Sequence, residues 1–236
     1  MSGSSSQNST SNQSSLSGCN NFGELSEYFE SKYGLTFDES VKQLDFNTVK
    51  SSLAGIETTI KDCPDVGVYL TQGTTSSSGI MSCSGNKITF NPEYYSDSNT
   101  LSGVCSEQSS IGYWVPNSSP ESIGVHEAAH GVEWAIIQAN QEYETDTQRI
   151  RAWNECSEAS RIVSEAVYNV QSTTYGSSKT PRELIKEISG YAQSNDSETM
   201  AEAFADVYAN GSNAKPLSIE IRRIAQQTLS KYKGAL

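Results

Sequence analysis

The stretch VHEAAHGVEW, residues 125 to 134, contains the only two histidines of the chain, His126 and His130, placed four apart around Glu127. In a helix that spacing stacks both imidazoles on one face, so both can reach a single ion. Catalytic zinc takes three protein ligands and leaves a fourth position for water. The fold must therefore bury most of this helix while turning its histidine face toward a cleft and bringing a third ligand there from elsewhere. Ile123, Val125, Ala129, Val132, Trp134, Ile136 and Ile137 supply the apolar remainder of the helix, and Ser122 is its expected cap. Glu127 projects beside the ion, where its carboxylate can take a proton from an attacking water and return it to a leaving amine.

With no third histidine, the third ligand is expected to be a carboxylate before a cysteine. YAQSNDSETMAEAFADVYANG presents Glu198, Glu202 and Asp206 at four-residue steps, all on one side of a helix whose other side holds Met200, Phe204, Val207 and Tyr208. One acid can ligate while the next hydrogen-bonds a ligating histidine from behind. Periodicity leaves Glu198 and Glu202 equivalent as ligands, and a solvated acidic face or a capping box between Asn195 and Glu198 accounts for the pattern without any metal.

HEAAH followed by YAQSNDSETMAEAFAD resembles the zincin metallopeptidases of the anthrax lethal factor and Pro-Pro endopeptidase type. Their pattern is HExxH, a tyrosine seven residues before a zinc-binding glutamate, and a second glutamate four residues on in an AEAF-like context. Tyr191, Glu198 and Glu202 stand at that spacing. The resemblance implies His126, His130 and Glu198 as ligands to Zn2+, Glu127 as general base and acid, Tyr191 as donor to the oxyanion, and Glu202 as the partner behind a ligand. It also implies a zincin-like fold, with a small mixed sheet followed by the active-site helix and a helical C-terminal half. The HExxHGxEW helix after a strand such as KITFNPEYY is similar, too, to metallopeptidase domains attached to phage minor capsid or head-morphogenesis proteins.

Along the chain, MSGSSSQNSTSNQSSLSG has too little apolar surface to offset the entropy of ordering it, so residues 1–20 read as a flexible tail and 21–236 as one domain. Helices are expected over FGELSEYFESKYG, ending at Gly34, and over DFNTVKSSLAGIETTIKDC, with Val49, Leu53, Ile56 and Ile60 as its stripe, Asp45 or Asn47 as its cap and Pro64 as its stop. VGVYLTQG, GIMSCSG and NKITFNP read as short strands, the last with Ile88 and Phe90 on one face and placed to edge the cleft beside an extended peptide. Residues 96–122 read as loop, in which Tyr113 and Trp114 either line the cleft or pack beneath it. From there the chain reads as helical to its end, and strands followed by helices make an α+β domain.

The net charge of −12 argues against nucleic-acid backbone and anionic lipid as partners, because both would be repelled at long range. No apolar run approaches the roughly 20 residues that span a bilayer, and no secretory signal is evident, which favours a cytoplasmic or virion-associated protein. Cys19, Cys63, Cys83, Cys105 and Cys156 form no CxxC pair; free thiols are expected, with a Cys83–Cys105 bridge as the alternative. Glu142, Glu144 and Asp146 lack the pattern of a calcium loop and read as solvated. The expected activity is zinc-dependent endopeptidase action on a protein or peptide, in a phage setting with capsid proteins as partners. The alternatives are a non-catalytic capsid-associated module that keeps its metal for stability, and a toxin-like protease effector.

Overall fold

The computed structural model describes residues 15–63, 71–74, 79–173 and 178–234. Asn21 caps α1 (Phe22–Tyr33), and of the two expected caps for α2 (Phe46–Asp62) Asp45 is the one used, accepting from the Thr48 amide. Three short strands follow, β1 (Thr71–Thr74), β2 (Met81–Ser84) and β3 (Lys87–Phe90), then α3 (Pro92–Tyr95) and α4 (Thr100–Ser110). The remainder is helical: α5 (Pro120–Ala139), α6 (Asp146–Asn154), α7 (Ser157–Thr173), α8 (Pro181–Ile188), α9 (Asp196–Asn210) and α10 (Pro216–Gly234). Mostly helix with one small sheet, the chain is α+β in the broad sense. No helix among the described residues is long and apolar enough to cross a membrane.

Four expectations change. The sheet order is β1-β3-β2, with β3 parallel to β1 and antiparallel to β2. NKITFNP is therefore the central strand, hydrogen-bonded on both sides, and the edge beside the cleft is β2. Within the supposed loop over 96–122, α4 forms despite its serines because Leu101 and Cys105, four apart, bury one narrow stripe. The cap of α5 is Ser119, with Pro120 in the first helical position; Ser122 closes the capping box from inside the first turn. Cys83 and Cys105 are free thiols, as expected, and the alternative bridge does not form. Of the expected tail, residues 1–14 lie outside the described residues, whereas Leu16 and Cys19 are buried against α1 and α2. The strand expected over VGVYLTQG falls partly on residues 64–70, also outside them.

Helix α5 is the spine. Fifteen of its 20 residues are buried, as its nearly all-round apolar sequence demands. Val125, Ala129, Val132 and Ile136 pack into one core with α7, α8, α9 and α10, while Ala128 belongs to a second core built from α1, α2, α4 and the sheet. Contact with α2 is close enough to require glycine on both sides: a Cβ on Gly55 would stand 1.9 Å from the Glu121 carbonyl oxygen, and one on Gly124 1.9 Å from that of Ser52. The Ser52 hydroxyl adds a hydrogen bond of 3.0 Å to the Pro120 carbonyl, so the start of α5 is held firmly against α2.

Away from the histidines, α1 is tied to α2 through Glu57. Burial alone would push this carboxyl up, but hydrogen bonds from Tyr28, Tyr33, Lys61 and Lys32 outweigh it and hold it at about 2. A carboxyl depressed in the folded state contributes stability above its unfolded pKa and loses it as pH falls toward the folded value. Urea unfolding of the wild type is accordingly expected to lose stability between pH 4.5 and about 2, and Glu57→Gln to flatten that limb. At neutral pH the same variant should be less stable by roughly 3 kcal/mol.

Candidate metal centre

Helices α5 and α9 bring the expected residues together on the seam between the two cores. His126 Nε2 lies 3.0 Å from Glu198 Oε2, and His130 Nε2 lies 3.6 Å from the same oxygen. Behind them, His126 Nδ1 meets Glu202 Oε1 at 3.0 Å and His130 Nδ1 meets the Ser197 hydroxyl at 3.0 Å. The ambiguity between Glu198 and Glu202 is thereby resolved in geometry. Glu198 faces the two Nε2 atoms, whereas Glu202, 3% exposed, sits behind one imidazole. Only half of the capping box forms: the Asn195 side chain accepts from the Glu198 amide, while the Glu198 carboxylate turns to the histidines and not back to the Asn195 amide. Asp206, the third acid of the series, takes no part: it binds the Lys215 amide and the Asn210 side chain.

His126, His130 and Glu198 form a group able to hold a metal ion. A tetrahedral ion with ligand bonds of about 2.0–2.2 Å separates its donor atoms by roughly 3.3–3.5 Å, and the observed 3.0 and 3.6 Å bracket that edge. The donor chemistry agrees. With Nδ1 of His126 giving its proton to a carboxylate, its Nε2 presents a lone pair to the lone pairs of Glu198, which repel unless a cation or proton lies between them. Burial would lower the His126 pKa, but hydrogen bonds to Glu198 and Glu202 overcome it and raise it well above the ordinary imidazole range. Burial likewise works against ionised Glu198, yet the two histidines hold its carboxyl well below the carboxylate range. The centre is built to hold positive charge.

Glu127 and Tyr191 open on the same space. The Tyr191 ring stacks on His126 at 5.8 Å and packs against Tyr113 at 5.5 Å. Its backbone is fixed from the α4–α5 connection, because the Gly190 and Tyr191 amides donate to the Gly112 and Tyr113 carbonyls, each at 2.8 Å. Burial first, and then the charges of Glu198 and Glu127, push the phenol above its ordinary range, so it keeps its proton and acts as a donor.

Two cavities of about 360 Å3 each meet at Met81, His126, Glu127 and Tyr191. One runs toward Ser82, Trp153, Asn154 and Asn195, and the other toward Ile80, Tyr94, Val104, Trp114 and Ile123. Trp114 therefore serves in both ways considered for it, packing on the N-terminal core while lining the second cavity. The long segment between the two motifs has two roles: α7 is core, while Trp153, Asn154 and Cys156 wall the first cavity. Glu142, Glu144 and Asp146 are exposed, as expected of a solvated run.

Sequence reasoning missed the support of His130. Ser197 stands directly before Glu198, and its hydroxyl donates to Glu133 Oε2 at 2.5 Å. Glu133 is the E of HGVEW, one turn beyond His130. Burial pushes its carboxyl above the usual range, opposed by the Ser197 hydrogen bond. The helical spacing of Glu133 from His130 was the available signal. Compared with protein-family models, curated proteins and solved structures, the chain gives no match.

Proposed function

We propose that the protein is a zinc-dependent endopeptidase of zincin-like fold. One observation carries the reading: two imidazole Nε2 atoms and a Glu198 oxygen converge beside a cleft that Glu127 and Tyr191 share. The α5 helix, the small sheet beside it and the third ligand from α9 suit that fold, and two nitrogens plus one carboxylate suit zinc.

When bound, zinc would supply Lewis acidity, lowering the pKa of a water toward neutrality and polarising the scissile carbonyl. The chain's own residues do the rest. Glu127 takes the water's proton on its carboxylate as the oxygen–carbon bond forms, and passes a proton to the amine nitrogen as the carbon–nitrogen bond breaks. The Tyr191 hydroxyl donates to the oxygen on which negative charge develops. Along β2, Met81, Ser82 and Cys83 border the first cavity on the side away from β3, so an extended peptide can pair with this edge and lie across the centre. Its side chains on the Trp114 side would meet apolar walls and those on the Trp153 side more polar ones.

Digestion of a mixed peptide library by zinc-loaded protein tests the reading. Cuts are expected that disappear with chelator and return with zinc, enriched for an apolar residue on one side of the cut. A protein that melts higher with zinc but cuts nothing has a structural metal, and the enzyme proposal fails. Tyr191→Phe is expected to lower turnover by about 100-fold, as for loss of one oxyanion donor, with zinc affinity unchanged. Loss of zinc in that variant would mean that Tyr191 supports the centre instead of the reaction.

A further inference from the structure

We infer that Glu133, acting through Ser197, is a positioning residue that sets which nitrogen of His130 carries the proton and thereby tunes the centre's grip on its metal. The inference rests on the metal-centre reading. Glu133 is 1% exposed, and its carboxylate is engaged by Ser197 and is not among the His126, His130 and Glu198 group placed to hold the ion. Its Oε2 accepts from the Ser197 hydroxyl at 2.5 Å, and the Ala159 backbone amide also acts on the buried carboxyl. A carboxylate buried this deeply is costly, and a purely structural position would tolerate an apolar residue at lower cost.

Proton counting gives the direction of the relay. A carboxylate has no proton to donate, so the single hydroxyl proton of Ser197 is committed to Glu133. The serine oxygen then has only lone pairs left for the His130 Nδ1 lying 3.0 Å away. In the neutral imidazole Nδ1 must then be the protonated nitrogen, which leaves Nε2 bare and facing Glu198. Glu202 enforces the same tautomer on His126 directly, through its 3.0 Å contact. The two ligands are thus held by different devices, a carboxylate on one and a serine–carboxylate relay on the other. Ser197, next to Glu198 in α9, couples both helices that form the centre.

Long-range nitrogen-15 NMR of the zinc-free protein at alkaline pH tests this directly, because only two imidazoles contribute. The wild-type spectrum is expected to show His130 as the Nδ1–H tautomer. Ser197→Ala should move it toward Nε2–H and weaken zinc binding by about 10–100-fold, the usual cost of losing an outer partner. Ser197→Thr, which keeps the hydroxyl, should restore both. Glu133→Gln should fall between the two, since an amide can present either a donor or an acceptor to Ser197. Nε2–H in wild-type His130, or a Glu133→Gln protein with wild-type tautomer and zinc affinity, would overturn the inference. The wild-type spectrum requires no variant to fold. It also separates this inference from the enzyme proposal, because Nδ1–H His130 in a protein that cleaves nothing supports the relay and sinks only the activity.

Discussion

Glu127→Gln is expected to bind zinc as tightly as the wild type and to cleave peptides about 100- to 10,000-fold more slowly, the range that a positioned general base contributes. The side chain lies where both cavities meet, beside His126 but outside the Glu198 cluster. Glutamine keeps its volume and removes its basicity, so the metal centre and the fold should survive the change. The pairing of lost turnover with retained metal is the informative result. It is read by steady-state cleavage of a peptide found in the library and by zinc titration of the same preparation. Equal cleavage rates for the variant and the wild type would remove Glu127 from the mechanism.

Glu198→Ala should have the opposite signature. Its carboxylate is the only oxygen donor of the group and the contact of both Nε2 atoms, so zinc affinity should fall by more than the 10–100-fold typical of outer partners. Activity should fall with it, and the melting temperature should lose its dependence on zinc, because an ion that binds only the folded state stabilises in proportion to its affinity. Glu202→Ala, by contrast, should weaken zinc only within that 10–100-fold range. If Glu202→Ala abolished binding while Glu198→Ala spared it, the two acids would have exchanged roles.

The parts of this architecture that were legible in the sequence are those where one local signal dominates. The apolar run around HEAAH forces a buried helix, and Asp45 and Asn195 each cap where a side-chain acceptor precedes a helical pattern. The metal group followed from four-residue spacing on two helices; periodicity left Glu198 and Glu202 equivalent, the spacing from Tyr191 read through the resemblance pointed to Glu198, and the distances between the two helices agree with that choice. Helix α4 was hidden because its serines dilute the apolar pattern to Leu101 and Cys105. The edge strand was misassigned because β2 and β3 are equally short and only pairing distinguishes centre from edge. Ser197 escaped notice because a serine in the first turn of a helix reads as ordinary surface, although its hydroxyl is held between Glu133 and His130.

The central claim is that this cluster is a zinc centre, and the most direct measurement is the metal content of protein purified without added metal, with X-ray absorption at the zinc edge on the same sample. About one zinc per chain, bound by two imidazole nitrogens and carboxylate oxygen at about 2.0–2.2 Å, is the predicted result. A chain that takes up no zinc even after reconstitution, or holds it without imidazole ligands, would contradict the account.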